Sequence, residues 1–275
     1  GDRDTRDERA SIRLNPEAVD LNLSEGEELY RKLVDGQLQT PDTWEVELSQ
    51  STNKLKSWRR LLNEGKLGDL AFLRNLRNMS QAGITEEELV EAGGGRRWGR
   101  VLPFRFISAA RMVPSLGPLL EHWMFQALED MPKLKGRTVL LIDTSGSMHD
   151  TLSAKSDLSR LDTAKALAML LRELCESVSI YTFNEAVASV PPRRGFALVD
   201  AIGDAWGGTR LGAAVKSVQR REDMDRLIVL TDEQSNDSVG TAPAPLSYMI
   251  NVATYQYGVG TGDNWLRING FSEAI

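Results

Sequence analysis

The feature that most restricts the fold is a short apolar run, Val139–Ile142, that ends in Asp143. Consecutive apolar residues closed by a carboxylate are typical of a strand that is buried on both faces of a parallel sheet. Similar runs occur at Val178–Phe183, Leu227–Leu230 and Ile250–Tyr255, with helical segments between them. Strands that alternate with helices predict an α/β doubly wound parallel sheet in this half of the chain.

The segments between these runs complete the predicted α/β pattern. Helical spacing of apolar residues predicts helices at Leu161–Leu174, Phe196–Ile202 and Leu211–Arg220. A short edge strand is predicted at Ala186–Val190, where Pro191-Pro192 stops it. We therefore assign residues 136–275 to a single sheet domain.

Polar residues follow the predicted strands at the edge of the sheet where ligands usually bind. The turn after the first strand carries Asp143, Ser145 and Ser147, while Asp232 follows Leu227–Leu230 and Thr209 lies in a loop between helices. Carboxylate and hydroxyl oxygens without thiolates favour Mg²⁺, or Mn²⁺ or Ca²⁺, over Zn²⁺. The sequence therefore predicts a divalent-cation site built from these five residues.

These five residues resemble the metal-ion-dependent adhesion site of von Willebrand A domains. That site has an Asp-x-Ser-x-Ser motif, matched by Asp143, Ser145 and Ser147, then a Thr and an Asp, matched by Thr209 and Asp232. The resemblance covers roughly residues 136–275 and implies a ligand-binding position rather than a hydrolytic centre. The alternative is a degenerate domain that keeps these residues without a metal.

Composition limits the other classes of function. The formal charge of −6 and a pI of about 5.2 give no overall attraction to nucleic acid, so any basic surface must be local. One cysteine, Cys175, excludes an intrachain disulfide and is expected to be buried. No apolar run approaches the ~20 residues that a membrane span needs, which favours a cytoplasmic protein without membrane contact. No paired base and nucleophile accompany the site, and His149 beside it is expected to face solvent, so we expect no enzyme.

Helical spacing dominates the chain between residues 26 and 135, after a charged arm at residues 1–25. Turn signals such as Asp35-Gly36 and Gly93-Gly94-Gly95 divide this region into short helices. Thr85 followed by Glu88 predicts a capping box that opens one of these helices. We predict helix pairs stacked as in a HEAT-like repeat.

Three segments of this helical region resemble a TROVE module. They are Trp58–Met79, with its Leu-Arg-Asn-Leu-Arg-Asn-Met run, Val101–Phe106 and Thr43–Glu45. That module occurs in the Ro autoantigen and its bacterial relatives, where a ring of helical repeats precedes a von Willebrand A domain. Only about 130 residues precede the predicted sheet domain here, so most of the ring is missing. The chain is then either a fragment of a longer protein or a short form that assembles into a homo-oligomer.

A local excess of basic residues supports a nucleic-acid interpretation. Residues 53–112 contain twelve basic and six acidic residues, a net charge of +6 in an acidic chain. Guanidinium groups match phosphates, and Asn side chains can bond bases. The alternative is a solvated helical face paired with its own acidic neighbours, and Trp58 and Trp98 are expected to pack in a core rather than stack on bases. The candidate RNA-binding residues are Arg59, Arg60, Arg74, Arg77, Asn78 and Arg105.

By resemblance, the chain is expected to be a non-catalytic RNA-binding protein. Proteins of the Ro class bind small structured non-coding RNA (Y-RNA-like), and bacterial relatives work with exoribonucleases, which implies a scaffold role in RNA quality control. A metal-dependent adhesion module that binds a protein partner and no RNA is the alternative. In that case, binding would depend on the metal and on Asp143.

Overall fold

Seven α-helices are described in the first half of the chain. The computed structural model describes residues 25–37, 43–152, 158–253 and 262–269, so nearly all of the predicted charged arm lies outside the described residues. The helices are α1 (Glu25–Val34), α2 (Trp44–Gln50), α3 (Lys54–Asn63), α4 (Asp69–Gln81), α5 (Glu86–Gly94), α6 (Pro103–Met112) and α7 (Gly117–Leu128). None of the described helices is both long and apolar enough to cross a membrane.

Local sequence explains where several helices begin. The predicted capping box is confirmed at the start of α5, where the Thr85 hydroxyl accepts from the Glu88 amide and the Glu88 carboxylate accepts from the Thr85 amide. Proline occupies the first turn of α6 and of α7, where its missing N–H is not needed. These helix starts could therefore be read from the sequence.

Large aromatic side chains form the centre of the helical core. The rings of Trp98 and Trp123 stack with centroids 5.0 Å apart, and Phe72 meets Trp123 edge-on at 5.9 Å. Phe106 meets Trp98 edge-on at 5.6 Å. Trp58 and Trp98 are 3% and 2% exposed, so the prediction that they pack in a core is confirmed.

Gly93 permits the close approach of α5 to this aromatic core. A Cβ atom at Gly93 would lie 2.0 Å from Cζ2 of Trp123, whereas a Cβ at Gly94 would meet no atom within 4 Å. We expect Gly93→Ala to lower the free energy of unfolding by about 3 kcal/mol, because the indole must leave its packed position. Chemical denaturation measures the loss, with Gly94→Ala as the matched control. Equal stability of the two variants would contradict the prediction.

The second half of the chain forms one mixed sheet with helices between its strands. The order β3-β2-β1-β4-β5-β6 places β1 centrally, and all neighbouring strands are parallel except β3, which is antiparallel to β2. The α/β prediction is thus confirmed, with a mixed rather than wholly parallel sheet. The strands are β1 (Leu134–Asp143), β2 (Cys175–Phe183), β3 (Val187–Ser189), β4 (Arg226–Thr231), β5 (Leu246–Asn251) and β6 (Trp265–Asn269), and the helices are α8 (Arg160–Leu174), α9 (Gly195–Ile202) and α10 (Leu211–Arg221).

Three features of the sheet differ from the sequence prediction. The strand predicted at residues 250–255 is β5, which runs from Leu246 to Asn251, and residues 254–255 lie outside the described residues. The edge strand β6 was not predicted. Strand β1 begins at Leu134, and Gly136, with φ +86°, lies within it where the register with β2 shifts. The boundary predicted at residue 136 therefore falls inside a strand.

The chain divides into two compact units, with the boundary between Ser57 and Trp58. Helices α4 to α7 consequently share a unit with the sheet domain. The Arg111 guanidinium of α6 forms a two-pronged ion pair with the Asp162 carboxylate in the first turn of α8. Glu121 of α7 accepts a hydrogen bond of 2.6 Å from the Phe196 amide at the start of α9. The last helices of the first half thus fix the ends of two helices of the sheet domain.

Candidate metal centre and nucleic-acid face

Asp143 lies at the carboxyl end of the central strand β1 and is fully buried. Its Oδ1 accepts a hydrogen bond of 2.9 Å from the Ser145 amide, and its Oδ2 accepts one of 2.7 Å from the Thr231 hydroxyl. Strand β4 supplies Thr231, so two neighbouring strands fix the orientation of this carboxylate. The turn that follows is thereby folded back over the strand end.

Two serine hydroxyls project from this turn side by side. The Oγ atoms of Ser145 and Ser147 are 3.3 Å apart. The amide of Gly146, between them, donates to the carbonyl of Gly207 at 3.0 Å, which attaches the turn to the loop that carries Thr209. Ser147 and Thr209 line one open depression of about 360 Å³. The structure thus brings four of the five candidate ligands to one edge of the sheet.

Asp232, the fifth candidate, follows strand β4 and is fully buried. Its Oδ1 accepts from the Gln234 amide at 3.1 Å, and its Oδ2 accepts from Nη1 of Arg160 at 2.9 Å. The same nitrogen donates to the Ser147 carbonyl at 3.0 Å. Arg160, which no sequence pattern marks as part of the site, places a guanidinium group between Asp232 and the serine turn.

Burial dominates the electrostatics of this site. It raises the pKa of Asp143 from 3.8 to about 6, against the hydrogen bonds from Ser145 and Thr231, and the nearby charge of Asp232 adds to the increase. The described residues contain no cluster of three or more His, Cys, Asp or Glu side chains suited to a metal. The donors are instead two carboxylates and three hydroxyls, which fit a hard cation that keeps some of its water. Occupancy by Mg²⁺ stays a prediction.

Two other residues lie near this edge of the sheet. Glu233 is fully buried with φ +57°, and among the described residues its carboxylate has no hydrogen-bond partner, only Arg267 at 3.8 Å. Its burial was not predicted, because no spacing rule marks a residue after the Thr-Asp pair as buried. His149 is exposed, as expected, although its Nε2 lies 2.6 Å from the Ala205 carbonyl oxygen.

Helix α4 carries an exposed polar face that consists of Arg74, Arg77 and Asn78. These residues are separated by three and four positions, so they lie on one side of the helix. The Arg77 guanidinium rests 3.9 Å from Sδ of the exposed Met112, and the Asn78 side-chain amide donates to Oδ1 of Asn75 at 2.9 Å. We call this surface the α4 face.

The other three candidate RNA-binding residues contact neighbours within the fold. Arg59 forms a two-pronged ion pair with Glu88, with a shortest distance of 2.6 Å. Arg60 lies 3.9 Å from Glu64. The Arg105 guanidinium lies over the ring of Phe104, 4.6 Å from its centre. The contacts of Arg59 and Arg60 match the alternative of a solvated face paired with its own acidic neighbours, so the six candidates do not form one free surface.

Comparisons with known proteins find a family match in the helical half and a similar fold for most of the chain. Residues 35–121 match the family described as TROVE domain. Telomerase protein component 1 from Rattus norvegicus is 41% identical over 78 residues, and that from Mus musculus is 39% identical over 85 residues. These alignments cover 26% and 29% of this chain but only 3% of each relative.

A solved structure extends the comparison to the sheet domain. The RO (RSR) protein of Deinococcus radiodurans superposes with a TM-score of 0.62 at 17% identity, over 90% of this chain and 65% of that protein. The chain contains a TROVE domain at residues 35–121, and as a whole it has the fold of a Ro protein, with a von Willebrand A-like sheet domain. The resemblance to TROVE and Ro proteins is confirmed, whereas the adhesion-site residues of the von Willebrand A resemblance stay a prediction. The chain spans less than two thirds of this relative. The TROVE match includes the whole α4 face, and the A-like domain carries the candidate metal ligands.

Proposed function

We propose that this chain is a non-catalytic RNA-binding protein that binds small structured non-coding RNA of the Y-RNA kind. The observation that carries the proposal is the TROVE match at residues 35–121, followed by an A-like domain in the order found in Ro proteins. On this proposal the protein is a cytoplasmic scaffold in RNA quality control, with an exoribonuclease as a partner. A HEAT-like arrangement of its helices and homo-oligomers that complete a ring belong to the same proposal.

The chemistry of the α4 face supports RNA binding. Arg74 and Arg77 offer two guanidinium groups one helical turn apart, where each can bind a backbone phosphate. Asn78 adds an amide that can bond a base or a ribose hydroxyl. Because these residues are exposed on one helix, an RNA strand can reach all of them at once.

The A-like domain would add a cation-dependent docking point. Asp143, Ser145, Ser147 and Thr209 would hold Mg²⁺, with Asp232 beside them, and Mn²⁺ or Ca²⁺ would fit the same donors. When bound, the ion would offer an open position to a carboxylate or phosphate oxygen of a partner. The chain's own residues would orient that ion, because Thr231 and the Ser145 amide fix the Asp143 carboxylate.

A salt titration with a stem–loop RNA that has a single-stranded end tests the RNA proposal. We expect affinity to fall linearly with salt on logarithmic axes, because bound arginines release counterions from the phosphates. We also expect binding to persist in chelator, since the α4 face contains no candidate metal ligand. Binding no stronger than that of an acidic control protein of equal size would contradict the proposal.

The open depression beside Ser147 and Thr209 favours a second candidate, a protein-binding adhesion module without RNA. That function predicts a protein partner whose binding disappears with chelator and in Asp143→Ala. A protein partner that binds in this way, together with no binding of the stem–loop RNA, would favour this candidate over the first.

A further inference from the structure

We propose that Arg160 is an internal cation of the candidate metal centre, which competes with the divalent ion for Asp232. The inference rests on the metal part of the proposed function. It assigns to this arginine control over the affinity of the site, a role that is separate from that of the ligands. We argue this role from the contacts of one guanidinium nitrogen.

Nη1 of Arg160 lies among three oxygen atoms. It is 2.9 Å from Oδ2 of Asp232, 3.0 Å from the Ser147 carbonyl and 3.1 Å from Oδ2 of Asp150. The Arg160 side chain is only 11% exposed, and Asp232 is fully buried. A buried carboxylate needs a cation nearby, and in this arrangement the guanidinium supplies it.

Two of the candidate ligands, Ser147 and Asp232, are already in contact with this guanidinium, so a divalent ion held by these residues would be close to it. Two cations at that distance repel each other strongly in a partly buried site. The Asp232 carboxylate can bind the divalent ion only if the Arg160 guanidinium moves away from it. Metal binding therefore includes the cost of displacing Arg160.

Asp150 provides a place for the displaced guanidinium. Its side chain is 64% exposed and already contacts Nη1 of Arg160. The Arg160 amide also donates to the Asp150 carbonyl at 2.9 Å, so the two residues stay adjacent. A rotation of the Arg160 side chain is thus enough to exchange Asp232 for Asp150.

The start of α8 keeps the Arg160 backbone in place during this exchange. Asp162, two residues further on, completes a capping box with Ser159 and pairs with Arg111 of α6. Hydrogen bonds from Arg111 and Ser159 lower the pKa of Asp162 despite the opposing effect of burial, so its carboxylate stays ionised at neutral pH. The anchored helix confines the movement to one side chain.

Mn²⁺ binding, followed by electron paramagnetic resonance, tests the proposal with Arg160→Gln. We expect this variant to bind Mn²⁺ at least about tenfold more tightly than the unaltered protein, because the competing charge is gone. The matched control Arg160→Lys keeps the charge and should bind within about threefold of the unaltered protein. Asp143→Ala reports the background without the central ligand.

The unaltered protein provides a second measurement that does not depend on the folding of a variant. Mg²⁺ should shift the side-chain ¹⁵N resonance of Arg160, assigned by its loss in Arg160→Lys. Equal Mn²⁺ affinity in Arg160→Gln, or an Arg160 resonance that does not move while Mg²⁺ binds, would overturn the role of Arg160 only. No Mn²⁺ binding by any variant would overturn the metal site itself, with RNA binding unaffected.

Discussion

Asp143→Asn is expected to abolish divalent-cation binding and yet leave the metal-free protein at least as stable as the unaltered protein at pH 7. The folded-state pKa of Asp143 is about 6, against 3.8 ordinarily, because burial disfavours its charge. Below pH 3.8 the carboxyl is neutral in both the folded and the unfolded state and makes its full contribution to the free energy of unfolding. That contribution is lost as the pH rises through 6. Above pH 6 the buried charge costs about 3 kcal/mol, which asparagine avoids.

Thermal unfolding in chelator and in excess Mg²⁺ measures both effects. Mg²⁺ should raise the Tm of the unaltered protein, because a ligand that binds only the folded state stabilises it. The Tm of Asp143→Asn should not respond to Mg²⁺ and should be equal or higher in chelator. Asp223→Asn, at a carboxylate that is 90% exposed, is the control and should keep the Mg²⁺ response. A Mg²⁺ response in Asp143→Asn, or a clear loss of its metal-free stability, would contradict the prediction.

The central strands could be predicted because both of their faces are buried. Residues 138–143 of β1 and 227–231 of β4 are buried without interruption, which produces the unbroken apolar runs in the sequence. Strand β6, at the edge of the sheet, is only partly buried. Its apolar residues Trp265 and Leu266 are followed by Arg267, so no unbroken apolar run marks the strand in the sequence. Strand β5 begins earlier than predicted, because the buried Ser247 satisfies its hydroxyl locally on the Ala244 carbonyl.

The candidate ligands could be found for a related reason, since Asp143 ends β1 and Asp232 directly follows β4, and the ends of these parallel strands meet at one edge. Arg160 could not be found, because its partner Asp232 lies 72 positions away and only the folded sheet brings them together. The basic region shows the same limit. Arg59 is paired with Glu88, 29 residues further on, and a charge count over the sequence treats it as available. Charge patterns therefore predict a basic region but not its free surface.

The second large effect is expected at the α4 face, where Arg74→Gln together with Arg77→Gln should weaken binding of the stem–loop RNA by at least about tenfold. Each arginine is expected to neutralise one phosphate, so the slope of log affinity against log salt should decrease by about 2. Glutamine keeps the helix propensity and a polar side chain, and both positions are exposed, so stability should not change.

A matched pair of arginines separates a local effect from a change in net charge. Arg220 and Arg221 are exposed at the end of α10 in the A-like domain, far along the chain from the TROVE match. Arg220→Gln with Arg221→Gln removes the same charge and should leave both RNA affinity and salt slope nearly unchanged. Arg59→Gln should have a smaller effect than either α4 substitution, because Glu88 already neutralises that guanidinium. Equal losses of RNA affinity in the α4 and α10 double variants would show that RNA binding depends on the total charge of the protein. The α4 face would then have no specific role in RNA binding.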